Sequence, residues 1–440
     1  MIDFASILEE KAASAEITGA SFAYWDGDQL HTAVAGQRNS VTGDPITLDT
    51  LMHIGSITKV LNTTLFMQLV DDGLIQLDDP VTKYLPGLKL ATAGALEKIT
   101  CRMLVNHTNG IDFDAPPYNP HDEERIVDAI DRCASMTNAF SPGEATSYSN
   151  IGTVIAGHLT QTVRGKGWYE LMQEKIFEPL GLTHSLADVS LVPRFRVSIG
   201  DQVTPDGKLV QSARPFLPLS FAPAGATVMM TASNLVTFAR ALLNGGEGVN
   251  GVRILSKQSA ALMAKATAKF ASPANQIGLG WMILPGGVLW HGGGGPGVFS
   301  ELYAHPGSGR AFAVLMNCSR GRVFESTIID PILSSWGAAT PPAQPQPAPE
   351  DLTPYEGVYQ NSLFGLRVYG EKGRLFLRSS LRVAIYETDM SDQPASELIH
   401  LGEGRFKSAS MGEIGFVNPD AGGRMQGVGV GYRVLMRCAE

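Results

Sequence analysis

Five prolines fall within the nine residues from 341 to 349, inside the stretch GAATPPAQPQPAPEDL that runs from Gly337 to Leu352. Proline fixes φ and removes a backbone donor, so this stretch cannot join a helix interior or a central strand. It reads as an extended linker. The full chain of 440 residues is in any case too long for one ordinary core. The expected division is a first unit at 1–336, a linker at 337–351 and a small unit at 352–440.

The two units carry different patterns. In the first, apolar residues recur at helical spacing over 2–15, 56–72, 122–136, 150–163, 168–178, 233–243 and 256–266. Ser233 and Ser256 stand where N-caps belong, and Gly73 and Gly181 where helices stop. Asp26-Gly27, between two alternating runs, predicts a hairpin. The runs QIGLGWMIL, GVLWH, VFSELYAHP and AFAVLMN read as strands, and a helical segment at 321–335 follows them. Strands at both ends with helices between predict an α+β unit. Its antiparallel sheet is built from the two chain ends and flanked by helices, and a helical subdomain lies beside it. Behind the linker, YEGVYQ, FGLRVYG, RLFLRSS, RVAIYETD, ELIHL, RFKSAS, EIGFVN and YRVLMRC predict short strands joined by glycine turns. That is the pattern of a small antiparallel β-barrel.

Composition narrows the function classes. The net charge is -9 and no basic stripe is present, which argues against nucleic acid as a partner. The four cysteines, Cys101, Cys133, Cys318 and Cys438, lie far apart, so free thiols are expected rather than disulfides or zinc ligands. The histidines form no H-x-x-x-H or H-E-x-x-H pair, and no metal or cofactor is expected. No apolar run reaches the roughly 20 residues that span a bilayer. The N-terminal stretch lacks a basic segment followed by an apolar one, so a cytoplasmic protein without a membrane partner is expected.

Three short patterns carry chemistry. The first is Ser56-x-x-Lys59 at the start of a predicted helix, where residues three apart share a face. The first-turn N–H groups and the helix dipole favour negative charge there. By chance alone, a chain of this length holds about one or two S-x-x-K matches, so an N-cap serine beside a solvated lysine is the ordinary alternative. A lysine of pKa roughly 10.4 becomes a base at neutral pH only with about 4 kcal/mol of differential stabilisation. A working pair therefore needs a further proton-handling group and an oxyanion hole. The second pattern supplies the first of these: Tyr148 and Asn150 stand two apart before an amphipathic helix, so an extended segment points them to one side. The bland alternative is that Tyr148 packs and Asn150 caps the helix; a second Y-x-N, Tyr359 to Asn361, shows how cheap the pattern is. The third is His291 followed by four glycines between two strands. There Gly293 and Gly294 let backbone N–H groups approach a ligand, and the Gly294 N–H could join that of Ser56. A glycine hairpin with no such role is the competing reading.

The order of these motifs resembles that of the serine β-lactamase and penicillin-binding-protein superfamily, in its class C-type branch with the tyrosine form of the second motif. LVNHTNGI, FSPGEATSYSNIG, PAGATVMMTASNLVTFARALLNGG and GLGW…HGGGGPG are similar to the family as well, so the resemblance covers about residues 5 to 335. The resemblance implies a β-lactamase/transpeptidase-like fold with the site in a cleft, and a lipocalin-like barrel behind it. It implies Ser56 as the acyl-enzyme nucleophile, Lys59 and Tyr148 as shared base and acid, Asn150 as a positioning residue, and the N–H groups of Ser56 and Gly294 as the oxyanion hole. His291 stands where β-lactam-recognising members place a lysine. A mostly neutral imidazole is a weak clamp for carboxylates, so feeble β-lactamase activity at most is expected. The expected function is a serine hydrolase acting on an ester or amide of a small molecule or short peptide, with an ester slightly preferred. D-stereospecific aminopeptidase or amidase action is the alternative, with β-lactamase or DD-peptidase action behind it. A non-catalytic binding scaffold ranks last, because the trio is intact. Asp112, Asp114 and the acids at 122–124 are the carboxylates open to holding a substrate amine. The barrel is expected to act as a lid or a dimer contact, and a homo-oligomer is compatible with the sequence.

Overall fold

The computed structural model describes residues 2–112, 125–204, 206–272, 275–338, 343–381 and 394–438. Strands β1 (Gly19–Trp25), β2 (Leu30–Asn39) and β3 (Asp44–Pro45) come from the front of the chain. Strands β4 (Ala268–Lys269), β5 (Gln276–Ile277), β6 (Met282–Ile283), β7 (Leu289–Gly295), β8 (Val298–His305) and β9 (Arg310–Met316) come from just before the linker. Among the described residues these nine strands form one sheet in the order β3-β2-β1-β9-β8-β7-β6-β5-β4. The two chain ends meet where β1 pairs antiparallel with β9, Ala20 opposite Met316. The predicted hairpin closes through Asp26 and Gly27, whose φ is +107°.

Strand alternation divides the core. Ala311, Ala313 and Leu315 of β9 face one apolar cluster, and Phe312, Val314 and Met316 face the other. The second cluster is covered by α1 (Phe4–Ala13) and by α8 (Asp330–Ser335), which follows a wide turn at 325–329. The first cluster is covered by α2 (Thr58–Asp71), α3 (Ile126–Arg132), α4 (Asn150–Arg164), α5 (Trp168–Met172), α6 (Ala232–Leu243) and α7 (Lys257–Met263). Helix α2 is buried on every side from Thr58 to Leu69, which makes it the central helix. Its polar Asn62 is satisfied there: it accepts from Trp168 Nε1 at 2.8 Å and donates to the Thr153 carbonyl at 3.2 Å. The fold is the α+β arrangement read from the sequence.

The helix ends hold one correction. Ser256 caps α7 by accepting from Ser259 N at 3.0 Å, but Ser233 caps nothing. Thr231 accepts from Asn234 N at 3.2 Å instead, because the helix starts directly as the chain leaves the short strand Met229–Met230. Gly73 and Gly181 take φ near +67° and +66° past their helices, as read. Asp114 and residues 122–124 lie outside the described residues.

Behind the linker come β10 (Gly357–Gln360), β11 (Phe364–Glu371), β12 (Arg374–Leu381), β13 (Ser396–Gly402), β14 (Arg405–Ser408), β15 (Gly412–Pro419), β16 (Met425–Val430) and β17 (Arg433–Arg437). Among the described residues they close into one barrel, with β10 pairing with β17. Its interior is filled by side chains such as Leu366, Leu377, Phe406, Ile414 and Val428. The expected strand RVAIYETD lies outside the described residues. Strand β16, MQGVGV, was not expected: its glycines hide the alternation. They serve close packing, since a β-carbon on Gly429 would stand 2.5 Å from Ala271 Cβ in the first unit. Residues 343–348, within the proline run, are exposed and lack regular structure. One anchor is Gln346 N–H, which donates to the His400 carbonyl at 2.8 Å.

Candidate active site

The chain reaches Ser56 through the two-residue strand Met52–His53, which pairs with Met229–Met230. A single tight turn, Gly55–Ile57, then leads into α2. Ser56 therefore lies on this turn, just ahead of the helix predicted to begin with it. Gly55 takes φ +52°, and a β-carbon there would stand 2.6 Å from Gly294 N. One on Gly225, where φ is +122°, would stand 2.8 Å from Ser56 N. One on Gly293 would stand 2.0 Å from the Ile54 carbonyl. Three glycines thus let the Ser56 turn, the start of the 225–228 segment and the edge of β7 press together. The amides of Ser56 and Gly294 both belong to this cluster. A β-carbon on Gly294 would meet nothing within 4 Å, so that position borders open space.

Lys59 lies one turn into α2 with 1% of its surface exposed. Its Nζ donates to Ser56 Oγ at 3.1 Å and to the Ala224 carbonyl at 2.5 Å, and lies 4.7 Å from the ring centroid of Tyr148. The solvated-lysine alternative is thereby discarded. Asn150 opens α4 beside Tyr148, and the cap of that helix is Ser149, whose Oγ accepts from Gly152 N at 3.1 Å. The structure brings Ser56, Lys59 and Tyr148 to one place, with Gly293 and Gly294 against the Ser56 turn, and Asn150 follows Tyr148 as the first residue of α4. The second Y-x-N lies in the barrel: Tyr359 is core, and Asn361 Oδ1 accepts from Leu363 N and Phe364 N.

His291 is buried, with 1% exposure. Burial first, then the nearby charge of Lys59, lowers its pKa to about 3. Its Nδ1 lies 2.7 Å from the Gly292 carbonyl, so the proton sits on Nδ1 and the ring is neutral. Among the described residues its buried Nε2 has no partner. The position that carries a lysine cation in β-lactam-recognising members therefore carries no charge here.

His107, within LVNHTNGI, has no role that the sequence pattern displays. Its carbonyl accepts from Ser147 N at 2.9 Å, its Nδ1 accepts from Ser149 N at 3.2 Å, and its ring lies 4.7 Å from that of Tyr148. It therefore grips the tyrosine segment on both sides. Burial, then the charge of Lys59, pushes its pKa well below the usual histidine value, so it grips as a neutral acceptor. The only local signal was the positive φ of +62° that it adopts, which no sequence pattern displays. Asp112, one of the candidate amine-binding acids, lines a small cavity with Tyr148, and its Oδ1 accepts from Ser362 N at 3.0 Å.

Comparison with known proteins decides the family. The Beta-lactamase family model matches residues 4–330. The chain belongs to the Beta-lactamase family. A curated relative, penicillin-binding protein 4 of Amycolatopsis lactamdurans, is 32% identical over 364 residues, covering 78% of this chain and 93% of the relative. The crystal structure of SurE superposes with a TM-score of 0.78 at 26% identity, covering 98% of both chains. A D-stereospecific amidohydrolase from a Streptomyces species superposes with a TM-score of 0.59 at 27% identity, covering 73% of this chain and 97% of its own. The protein is a serine hydrolase of the β-lactamase fold. Among the described residues no helix is long and apolar enough to cross a membrane.

Proposed function

We propose that the protein cleaves an ester or amide in two steps through an acyl group on Ser56, with an ester as the preferred substrate. The observation that carries this is the buried Lys59 Nζ donating to Ser56 Oγ at 3.1 Å while lying over Tyr148. Ser56 Oγ forms the new bond to the carbonyl carbon. Its proton passes by way of Lys59 and Tyr148 to the leaving oxygen or nitrogen as that bond breaks. The N–H groups of Ser56 and Gly294 hold the carbonyl oxygen as it gains charge, and Asn150 positions the substrate. Water then repeats the sequence on the acyl carbon and frees Ser56. Residues 1–336 form the hydrolase unit in this reading, 337–351 the linker and 352–440 the barrel.

A neutral His291 gives no cation to a β-lactam carboxylate on that strand, which supports feeble β-lactamase activity at most. A second reading, cleavage beside a D-amino acid, is favoured by two similar proteins: the D-stereospecific amidohydrolase, and SurE, which has also been solved with D-Leu. Hydrolysis of p-nitrophenyl acetate by the wild type and by Ser56→Ala tests the first reading. The variant should keep its fold and lose at least ~10³-fold in kcat, in line with removal of a nucleophile. Undiminished hydrolysis would refute it. A D-alanine p-nitroanilide cleaved faster than its L form would favour the second reading.

A further inference from the structure

His53 stands two residues before Gly55, just ahead of the Ser56 turn, and no step of the acyl transfer uses it. Its side chain is buried, with 3% exposure for the residue. Gly55 N–H donates to its Nδ1 at 3.0 Å, and its Nε2 lies 2.9 Å from the Ala226 carbonyl. One partner can only donate and the other can only accept, so the proton sits on Nε2 and the ring is neutral. Burial, acting against the bond to Ala226, lowers the pKa below the usual histidine value, which agrees with a neutral ring. The backbone carbonyl of His53 accepts from Ser300 Oγ at 2.9 Å, and Ser300 lies opposite Gly293 across β7 and β8. The ring of Phe216 packs beside the imidazole, with centroids 5.9 Å apart.

The two ring bonds join the two pieces of backbone that carry the reacting pair. Gly55 opens the turn that holds Ser56. Ala226 stands two residues beyond Ala224, whose carbonyl accepts from Lys59 Nζ at 2.5 Å. Between those two, Gly225 lies so near that a β-carbon on it would stand 2.5 Å from the Gly55 carbonyl. Glycine permits such an approach but does not enforce it. A backbone bond farther out, Ile54 N–H to the Val228 carbonyl at 3.1 Å, ties the chains together. The imidazole ties down the residue next to Ser56. A side-chain acceptor two residues before the N–H it captures is the arrangement that Asn and Asp make in turns. Histidine adds a donor on the far edge of the same rigid ring, and that donor reaches Ala226. We propose that His53 is a positioning residue for the acylation of Ser56. Its imidazole links the Gly55 amide to the Ala226 carbonyl and so fixes Ser56 Oγ and N–H relative to the segment that holds Lys59.

The proposal rests on the acyl-Ser56 reading, and the test separates the two. Hydrolysis of p-nitrophenyl acetate is measured for the wild type, His53→Phe and His53→Asn, with kcat counted per Ser56 labelled by a fluorophosphonate at completion. His53→Phe fills the volume and makes neither bond. Its kcat should fall about 10²-fold, the cost of a displacement near 1 Å, while KM changes by less than about threefold. His53→Asn should accept from Gly55 N–H and recover about tenfold of that loss. A merely structural histidine would lower the melting temperature and the yield of folded protein but leave kcat per labelled site unchanged, and that result overturns the proposal. An equal loss in both variants also overturns it, because the Gly55 bond would then not be the cause. The wild type gives a check that needs no variant. Nitrogen NMR should show the His53 ring neutral at neutral pH with its proton on Nε2, and a proton on Nδ1 overturns the proposal even if neither variant folds. A wild type that hydrolyses the ester but takes no label at Ser56 brings down the acyl-Ser56 reading instead, and the positioning role with it.

Discussion

Replacing Gly293 by alanine should disable catalysis without touching any side chain that does chemistry. A β-carbon there would stand 2.0 Å from the Ile54 carbonyl oxygen, where ordinary contact begins at 3.4 Å. The difference is 1.4 Å, from 3.4 less 2.0, and the two backbones must part by about that much. Ile54 leads into the Ser56 turn, and Gly293 precedes the Gly294 amide, so the separation falls directly on the proposed oxyanion pair. A misplacement of about 1 Å costs on the order of 10²-fold, and loss of one oxyanion donor about 10²- to 10³-fold in kcat. The expected loss is therefore ~10²- to 10³-fold, about 3–4 kcal/mol in the barrier. Overpacking also costs about 1–3 kcal/mol of stability. Gly294→Ala is the matched control, since its β-carbon meets open space and its melting temperature should stay near that of the wild type. The assay is p-nitrophenyl ester hydrolysis alongside thermal unfolding followed by circular dichroism. A Gly293→Ala enzyme with wild-type kcat and melting temperature would refute the close approach of β7 to the Ser56 turn.

Three further outcomes follow from the same geometry. Burial lifts the Glu301 carboxyl from 4.5 to about 7, against a hydrogen bond from Tyr303 that lowers it. A raised carboxyl adds stability that is fully present below pH ~4.5 and is lost as pH rises through about 7, worth about 3 kcal/mol in all. Urea unfolding of Glu301→Gln should accordingly show a flatter fall in stability from pH 5 to pH 8 than the wild type; parallel curves would count against a buried acid. Tyr432, in the barrel turn between β16 and β17, accepts the Tyr148 N–H at its carbonyl at 2.8 Å, and its ring and hydroxyl meet Phe270, Trp290 and Asn275. Tyr432→Ala removes the ring and hydroxyl that hold the barrel turn, and should lower kcat for a neutral p-nitrophenyl ester by about tenfold or more by loosening Tyr148. Unchanged kcat with a demonstrably destabilised barrel would show that the turn does not position the tyrosine. His107→Ala should likewise lower kcat, because Ser149 N–H and the Tyr148 ring lose their neighbour; a variant with full kcat would assign His107 to folding alone.

Much of this arrangement was legible in the sequence because it rests on periodicity and punctuation. The run after Ser56 shows helical spacing, and the alternation of AFAVLMN puts Ala311 and Ala313 on one face and Phe312 and Val314 on the other. The proline run foretold the exposed, irregular stretch at 343–348. Long-range placement was less visible. Nothing local in LVNHTNGI marks His107 as the clamp of residues forty positions away. The barrel strand MQGVGV was hidden because its glycines answer to Ala271 across the interface rather than to strand propensity. Ser233 was misread for a related reason: the strand that precedes α6 sets the start of the helix, and Thr231 is the residue in place to cap it. The barrel's part in the site was missed because a lid or dimer contact was the natural role for a unit behind a linker. Gly431-Tyr432 looks like an ordinary turn until its partners are known.

The most direct measurement is the site of covalent capture. A fluorophosphonate allowed to react to completion and followed by peptide mass mapping should place a single phosphonyl adduct on Ser56, and Lys59→Met should slow its formation by at least ~10²-fold. An adduct on another residue, or none on a folded protein that hydrolyses esters, would contradict the account.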